Sequence, residues 1–399
     1  MDTASAPHQG GTPPPAPGAD PRPLARTLDR PGLEAALRRA LPEGSAKACA
    51  AWLELELYQR GALTAEDLTD LGRTWREAIR RALRLEPLLD LETSSSCAED
   101  GSIRMVLGVH RGERRERIEA VAIPRRDDLA VCLSSQAGCG LGCTFCATGL
   151  LGHRLDLTAA EILEQHAWAQ RLAGKRITDV LFMGMGEPFL NYDAVIGAAY
   201  ALSAPRGPQI SPRKCVISTA GVVPAIHRYI REGHRFQLFF SISSAIPEKR
   251  RRLMPIEKAY PLAELVEAIG AYQRSLRRNR WATLEYVAIP GVNMDEEDIE
   301  ALGAAFAGIP CILDVIPLNT SSGGFRAPTW EEVRRFTVAL RRLGWPVKVR
   351  YSSGKKHGGG CGQLTAGLIE AQSPEGHLLA PAGIFSDVSR DLSHPPETG

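Results

Sequence analysis

The stretch Cys139-Gly-Leu-Gly-Cys143-Thr-Phe-Cys146 places three cysteines within eight residues, at the spacing C-x3-C-x2-C. Three thiolates at this spacing can bind three irons of a [4Fe–4S] cube and leave the fourth iron without a protein ligand. An open iron is a place for chemistry, whereas the four-cysteine arrangement of electron-transfer ferredoxins leaves none. The sequence therefore predicts a catalytic [4Fe–4S] cluster bound by Cys139, Cys143 and Cys146.

Zinc and disulfide chemistry are the alternatives for these cysteines. Structural zinc needs four ligands, usually in two closely spaced pairs, but Cys215, Cys311 and Cys361 each stand alone. The nearest histidine, His153, has no partner at ligand spacing. A disulfide framework is disfavoured because the chain has 9 cysteines, an odd number, in 399 residues and no apolar signal segment at its start. We therefore expect reduced thiols and a cytoplasmic location.

The bulk composition is that of an ordinary globular protein, with 44% hydrophobic and 24% charged residues. No apolar run approaches the roughly 20 residues of a membrane span, so we expect no membrane segment. The net charge of +2 gives no global basic field of the kind typical of nucleic-acid-binding proteins. Basic residues nevertheless cluster in residues 111–117, 249–252, 274–280 and 348–356. Each cluster alone is typical of a solvated face; together they favour a phosphate-rich substrate.

Composition and periodicity divide the chain into segments. Seven prolines in residues 1–23 predict a disordered tail, and helical spacing of apolar residues follows as far as Leu89. We predict five segments: a disordered tail at 1–23, a helical accessory domain at 24–89, a short β extension at 90–125, a barrel at 126–350, and a C-terminal segment at 351–399 that contains Cys361.

From about residue 126, apolar runs of strand length alternate with amphipathic stretches. The predicted strands are Leu129–Ser134, Ile177–Gly184, Lys214–Thr219, Gln237–Ser243, Thr283–Ile289 and Ile312–Leu318, and the predicted helices start near Thr158, Tyr192, Val222, Pro261, Glu296 and Thr329. Six βα units imply a parallel sheet with right-handed crossovers. Six is fewer than the eight of a closed barrel, so we predict an α/β fold with an open partial (βα)6 barrel and an N-terminal helical domain.

Polar groups follow the ends of these strands, where parallel sheets bind ligands. The stretch Gly184-Met-Gly186-Glu187-Pro188 ends the second strand. Its glycines allow close approach to the backbone, and a carboxylate can accept hydrogen bonds from an ammonium group. Later strands end in Ser218, Ser241-Ile242-Ser243 and Asn319. Each of these could simply cap a strand, but their shared placement predicts one ligand site.

The C-x3-C-x2-C loop resembles that of the radical S-adenosylmethionine (SAM) enzymes, and the GMGEP turn resembles their GGEP motif. The resemblance implies that SAM binds the open iron and is cleaved to a 5′-deoxyadenosyl radical. It also implies an electron donor such as flavodoxin or ferredoxin. The expected SAM-binding residues are Gly186, Glu187, Ser218, Ser241, Ile242, Ser243 and Asn319.

Two further cysteines point to a narrower family. A lone cysteine is usually a small buried hydrophobe, but Cys361 lies in a glycine-rich, basic loop, in Gly360-Cys-Gly-Gln-Leu364. Cys132 begins the block Cys132-Leu-Ser-Ser-Gln-Ala-Gly-Cys139. With the GMGEP turn, these blocks closely resemble the RlmN/Cfr family of radical SAM RNA methyltransferases. The resemblance covers about residues 24–364 and includes the helical domain, which helps to bind RNA in that family.

The resemblance implies a role for both cysteines. One SAM methylates Cys361, and a radical from a second SAM removes a hydrogen atom from that methyl group, which then adds to an adenine ring. Cys132 attacks the Cys361 sulfur, so that a transient disulfide forms and the methylated base is freed. Glu119 matches the family's proposed base in local sequence and in distance from the cluster loop, although a surface ion pair is the default for such a residue.

One position departs from the family pattern. Ser-Leu-His usually follows the fourth strand there, whereas this chain has Ser241-Ile242-Ser243, and serine lacks the ring and titratable charge of histidine. The resemblance implies adenosine C2 methylation in 23S rRNA, in tRNA, or in both. C8 methylation, which uses the same cysteines, stays open, as do another RNA adenosine and a catalytically inactive RNA- or metal-binding module. We expect a monomer.

Overall fold

The computed structural model describes residues 22–97, 99–125, 128–277, 280–319, 324–354 and 358–364. Nearly all of the predicted tail and the segment after Leu364 lie outside the described residues. The chain forms two compact units. The first takes in the chain up to Glu54 together with Leu63–Glu86, and the second takes in Leu55–Ala62 and the chain from Pro87 onward.

The first unit is helical. Its α-helices are α1 at Arg30–Leu37, α2 at Glu43–Glu54 and α3 at Arg73–Ala82. Asp29 caps α1, since its carboxylate accepts a hydrogen bond of 2.9 Å from the backbone N–H of Gly32. Leucines such as Leu33, Leu37 and Leu53 are fully buried. Together with Ala78 and Ile79 of α3, they supply the hydrophobic stabilisation of this unit.

The second unit is built on a ten-stranded sheet in the order β1-β2-β3-β4-β7-β8-β9-β10-β11-β12. The strands are β1 Leu89–Ser96, β2 Ile103–Arg111, β3 Arg114–Pro124, β4 Leu129–Cys132, β5 Gln136–Cys139, β6 Gly152–Asp156, β7 Asp179–Phe182, β8 Cys215–Thr219, β9 Gln237–Ser241, β10 Ala282–Ala288, β11 Cys311–Pro317 and β12 Val347–Val349. Strands β1 to β4 pair antiparallel, and β4 and β7 to β12 pair parallel. Strands β5 and β6 form a separate antiparallel pair.

Helices connect the parallel strands. They are α4 Ala147–Leu150, α5 Ala159–Ala173, α6 Tyr192–Ser203, α7 Val223–Glu232, α8 Pro247–Leu253, α9 Leu262–Ser275, α10 Glu296–Ala305 and α11 Trp330–Leu340. Thr158 begins α5 with a capping box, in which its hydroxyl accepts from the backbone N–H of Glu161 and the Glu161 carboxylate accepts in return. Buried apolar residues of strands and helices form one continuous core.

The predicted fold class is confirmed, and all six predicted parallel strands are present. The structure adds a seventh, β12, whose three residues are too few to show a periodic pattern. The strands predicted between residues 90 and 125 also continue the same sheet as β1, β2 and β3. The carboxyl ends of the parallel strands bring together the loops that begin at Leu133, Met183, Ala220, Ile242 and Leu318.

Candidate active site

The cluster loop, residues 139–146, follows β5 and is held in place by backbone contacts, one of them to α8. Gly138 has a φ of +72°, and a Cβ there would lie 1.9 Å from the carbonyl oxygen of Gly152, so only glycine fits. Further along, the backbone N–H of Thr144 donates to the carbonyl of Leu253 at 3.0 Å. The backbone N–H of Cys146 donates to the carbonyl of Cys143 at 3.1 Å. The loop geometry therefore follows from backbone hydrogen bonds as well as from the cysteines.

The three loop cysteines are free thiols that lie close together. Burial is the largest cause that raises the pKa of each thiol, to about 12 for Cys143, and neighbouring cysteines raise the pKa values of Cys139 and Cys143 further. Because neighbouring thiolates repel one another, deprotonated thiols in this loop need positive charge nearby.

Arg250 supplies one positive charge beside the loop. The side chain is fully buried and lowers the pKa of Cys143 through its charge. Its Nε donates to Glu257 Oε2 at 2.9 Å, and its two terminal nitrogens donate to the carbonyls of Ile242 at 3.0 Å and Ala220 at 2.9 Å. Arg250 thereby ties together the loops after β8 and β9, next to the cysteines.

The GMGEP turn packs tightly against the start of the cluster loop. Gly186 has a φ of +98°, and a Cβ there would lie 2.6 Å from the Cβ of Gln136. Glu187 is buried, and its carboxylate accepts hydrogen bonds from the backbone N–H groups of Phe189 at 3.0 Å and Ala220 at 2.8 Å. Burial raises the pKa of Glu187 to about 6, and these bonds oppose the rise. A carboxylate has about four acceptor positions, so Glu187 can still accept from a ligand ammonium group.

A charged network fills the inside of the barrel. Glu285 and Asp314 are neighbours in register on β10 and β11, and both are buried. Ser218 donates to Glu285, and Ser241 lies 3.4 Å from the same oxygen. Arg350 pairs with Glu285 and places its Nε 2.9 Å from Asp314 Oδ2. Ser218 and Ser241 therefore come together, as the sequence predicts.

The other predicted SAM contacts are placed differently. Ile242 is fully buried, and its backbone N–H donates to the carbonyl of Glu285. Ser243 is also fully buried, with a φ of +51° and a hydroxyl that has no hydrogen-bond partner among the described residues. Asn319 donates from Nδ2 to the carbonyl of Cys361 at 3.1 Å and to Ser352 Oγ at 2.8 Å. Asn319 thus holds the loop that contains Cys361.

That loop docks directly onto the residues that follow the cluster loop. The backbone N–H of Ala147 donates to the carbonyl of Gly362 at 2.9 Å, and Thr148 Oγ1 donates to the carbonyl of Leu364 at 3.2 Å. Since Ala147 follows Cys146, these bonds bring the Cys361 loop next to the last cysteine of the predicted cluster site.

Cys132 and Cys361 line one cavity of about 300 Å³, together with Cys146, Met183 and Arg350. Burial raises the pKa of Cys132 to about 12, the charge of a Cys361 thiolate raises it further, and Arg350 lowers it. Two cysteines far apart in sequence therefore line the same cavity.

Comparison with known proteins agrees with this geometry. A sequence profile of the Radical SAM superfamily matches residues 133–302. A "Probable RNA methyltransferase" of Anaeromyxobacter sp. (strain Fw109-5) is 50% identical over 272 residues, which are 67% of this chain and 79% of the relative. The "Dual-specificity RNA methyltransferase RlmN" of the same strain is 37% identical over 371 residues, 91% of this chain and 94% of the relative. The crystal structure of a radical SAM methyltransferase from Sphaerobacter thermophilus superposes with a TM-score of 0.77 at 33% identity, over 87% of this chain and 100% of that one.

The chain belongs to the RlmN/Cfr family of radical SAM RNA methyltransferases. The family implies a [4Fe–4S] cluster and SAM. The donor set suits the cluster, since it consists of three free thiols in one short loop. In the described part of the chain, no three His, Cys, Asp or Glu side chains converge as ligands of a single ion would. A [4Fe–4S] cube does not need such convergence, because each cysteine binds a different iron of the cube.

Glu119, the base suggested by the resemblance to the RlmN/Cfr family, is fully buried on β3. Its carboxylate forms a two-point ion pair with Arg104 of β2, with Nε–Oε2 at 2.8 Å and Nη2–Oε1 at 2.5 Å. Glu119 is not among the residues that line the cavity of Cys132 and Cys361. The described structure therefore does not bring this carboxylate into that cavity.

Four residues of this site were not predicted from the sequence: Glu285, Asp314, Arg350 and Arg250. Two signals were available, Glu285 within the apolar run of β10 and Asp314 within that of β11, because a charge in a buried strand needs a partner. None of the helices in the described part of the chain combines the length and apolar character that crossing a bilayer requires.

Proposed function

We propose that this RNA methyltransferase transfers a methyl group to a ring carbon of adenosine, with Cys361 as the methyl carrier and Cys132 as the residue that releases the product. The supporting observation is the cavity shared by Cys132, Cys361 and Cys146. Cluster and SAM, when held by Cys139, Cys143, Cys146 and the GMGEP turn, would supply the methyl group and the radical that activates it. Cys361 lies where it can meet both that chemistry and an incoming base.

The release step uses residues that lie together in this cavity. A Cys132 thiolate attacks the sulfur of Cys361, which at that stage is bonded through a methylene carbon to the adenine ring. The S–S bond forms, the Cys361 sulfur–carbon bond breaks, and its electron pair stays on the carbon, which takes up a proton and becomes the methyl group. A dithiol reductant then reopens the disulfide with two electrons and two protons.

Arg350 suits this step because it favours the reactive form of Cys132. Only the thiolate attacks a neighbouring sulfur, and burial opposes the thiolate by raising the pKa of Cys132 to about 12. Arg350 opposes that rise with a positive charge that Glu285 and Asp314 hold in place. The barrel network thus has a chemical role next to the cysteines.

We further propose Glu119 as the base that removes the ring proton. A base must come within hydrogen-bond reach of the proton that it removes, and Arg104 now occupies both oxygens of Glu119. The proposal therefore requires that bound RNA draws Arg104 away from at least one oxygen. It also requires that the carboxylate, which does not line the cavity of Cys132 and Cys361, comes within reach of the target base.

Adenosine C2 in 23S rRNA or tRNA is the proposed target, following the resemblance to the RlmN/Cfr family, and C8 is the same-class alternative. One observation favours a different RNA adenosine. The Anaeromyxobacter strain has an RlmN and a second relative, and this chain is more similar to the second, at 50% against 37% identity. Ser243, in place of the family's histidine, is in line with a paralogue that has its own target.

Nucleoside mass spectrometry tests this proposal. Anaerobically reconstituted protein is incubated with SAM, a strong reductant, and either bulk rRNA or bulk tRNA, and the RNA is digested to nucleosides. We expect methyladenosine from the wild type and from Cys311→Ala, a variant of a buried core cysteine, and none from Cys361→Ala. Standards of 2- and 8-methyladenosine distinguish the two carbons. Methyladenosine from Cys361→Ala would contradict the carrier role.

A further inference from the structure

A second cavity lies at the opposite ends of the strands from the candidate active site. Its volume is about 470 Å³, and its lining includes Arg213, Arg235, Arg277 and Arg280. Arg213 precedes β8 and Arg280 precedes β10, so these residues lie at the amino ends of strands whose other ends meet at the site. A five-residue strand such as β8 separates the two places by roughly 15 Å.

The charge around this cavity is not balanced by carboxylates. No lining residue that the structure describes is acidic, and no described carboxylate forms an ion pair with any of the four guanidinium groups. Glu232, at the end of α7, is already engaged by Arg228 at 2.8 Å and His234 at 2.7 Å.

Two helix C-termini give part of the explanation for these arginines. Gly233 caps α7 and Ser275 ends α9, and both line the cavity. Each C-terminus is equivalent to about half a negative charge, so the two helices together offset roughly one of the four positive charges. About three positive charges then remain around one concave surface, and ordinary helix capping does not require them.

We propose that this cavity binds phosphates of the substrate RNA at a distance from the target adenosine. Arginine pairs with phosphate through two parallel hydrogen bonds, and two to four phosphates would balance the remaining charge. RNA is long enough to contact both ends of the strands, whereas a small ligand of the active site is not. This inference rests on the proposed function, because it takes RNA as the substrate of the same enzyme.

The test measures RNA binding by the full chain as a function of salt, by fluorescence anisotropy with labelled bulk tRNA and a single-stranded RNA 20-mer. The test variant is Arg235→Gln with Arg277→Gln. The matched control is Arg335→Gln with Arg341→Gln, which removes the same charge from two equally exposed positions. A third variant, Arg235→Lys with Arg277→Lys, keeps the charge and checks that the fold tolerates substitution.

We expect the test variant to bind RNA roughly tenfold more weakly and the slope of log affinity against log salt to fall by about 1.4, the value for two lost phosphate contacts on a single strand. The control should match the wild type, and the lysine variant should recover most of the affinity. In turnover assays the test variant should raise KM for RNA and leave kcat unchanged.

Three results would overturn the inference. Equal affinities and slopes for the test variant and its control would mean that only net charge matters. If the wild type binds ATP and the test variant does not, while RNA binding is unchanged, the cavity would be assigned to a free nucleotide. Slower reduction of the protein by flavodoxin with unchanged RNA binding would assign it to an acidic protein partner. In each case methyladenosine formation by the wild type would still support the proposed function, so the two failures are distinguishable.

Discussion

Replacement of the buried Arg250 by methionine should destabilise the second unit far more than loss of an ordinary ion pair. Arg250 and Glu257 are 0% and 3% exposed, so the substitution leaves a buried carboxylate without its cationic partner. It also removes the donors to the carbonyls of Ile242 and Ala220. Removal of one partner of a buried pair costs about 3–5 kcal/mol, because the remaining charge stays away from water.

Urea unfolding followed by circular dichroism measures this loss. The control is Arg342→Met, which removes an ion pair with Glu296 whose side chains are 58% and 59% exposed. That pair should contribute less than about 1 kcal/mol. The double variant Arg250→Met with Glu257→Gln should recover part of the loss, because glutamine leaves no buried charge. Iron bound per chain after reconstitution should fall in Arg250→Met, since Thr144 of the cluster loop bonds to Leu253 of the same helix as Arg250.

A loss in Arg250→Met no larger than in Arg342→Met would refute this reasoning. It would mean that water reaches Glu257 or that the region repacks without penalty. A double variant less stable than Arg250→Met would equally contradict the claim that the unpaired carboxylate causes the loss.

Three further predictions concern His166, Gly186 and Asn319. Burial lowers the pKa of His166 from 6.5 to about 4. As pH falls, the unfolded chain therefore binds a proton before the folded chain does, and the free energy of unfolding should drop by about 3 kcal/mol between pH 6.5 and 4. His166→Leu should flatten this part of the pH profile of stability, measured by urea unfolding, and an unchanged profile would contradict the prediction. Gly186→Ala should lower the free energy of unfolding by about 1–3 kcal/mol and weaken SAM binding in equilibrium dialysis, since the new Cβ would overlap Gln136. A variant as stable as the wild type that binds SAM equally well would contradict the tight packing of this turn. Asn319→Leu should slow methylation and expose the Cys361 loop to proteolysis with little change in SAM affinity; a loss of SAM affinity alone would instead assign Asn319 to SAM.

The fold was predictable from sequence because its signals are local. The alternation of apolar runs with amphipathic stretches predicts the parallel strands, and the capping box at Thr158 marks the start of α5. The seventh parallel strand, β12, was not predictable, because its three residues pair with β11 only once the rest of the sheet exists.

The candidate site was predictable only in part, because side-chain direction depends on the final backbone. Ser241 and Ser243 should share one face by strand alternation. The strand ends at Ser241, however, and the φ of +51° at Ser243 breaks the alternation, so Ser243 is buried elsewhere. Similarly, the sequence around Glu119 gives no sign that Arg104, two residues before its register partner Val106 on β2, pairs with it.

The network of Arg350, Glu285 and Asp314 forms only when residues far apart in sequence come together in the sheet. Glu285 and Asp314 are neighbours because β10 and β11 pair in one register, and Arg350 reaches both after β12. None of these pairings leaves a mark on the local sequence of Arg350, which lies in a stretch of basic residues typical of a solvated face.

Mass spectrometry of Cys132→Ala after reaction with SAM, reductant and RNA tests the central claim most directly. Without the Cys132 thiolate the release step cannot occur, so we expect an RNA fragment covalently bound to Cys361. Cys215→Ala, a change of a fully buried cysteine on β8, should release methyladenosine like the wild type. Free methyladenosine from Cys132→Ala with no adduct, or an adduct on a residue other than Cys361, would contradict the proposed pair of cysteines.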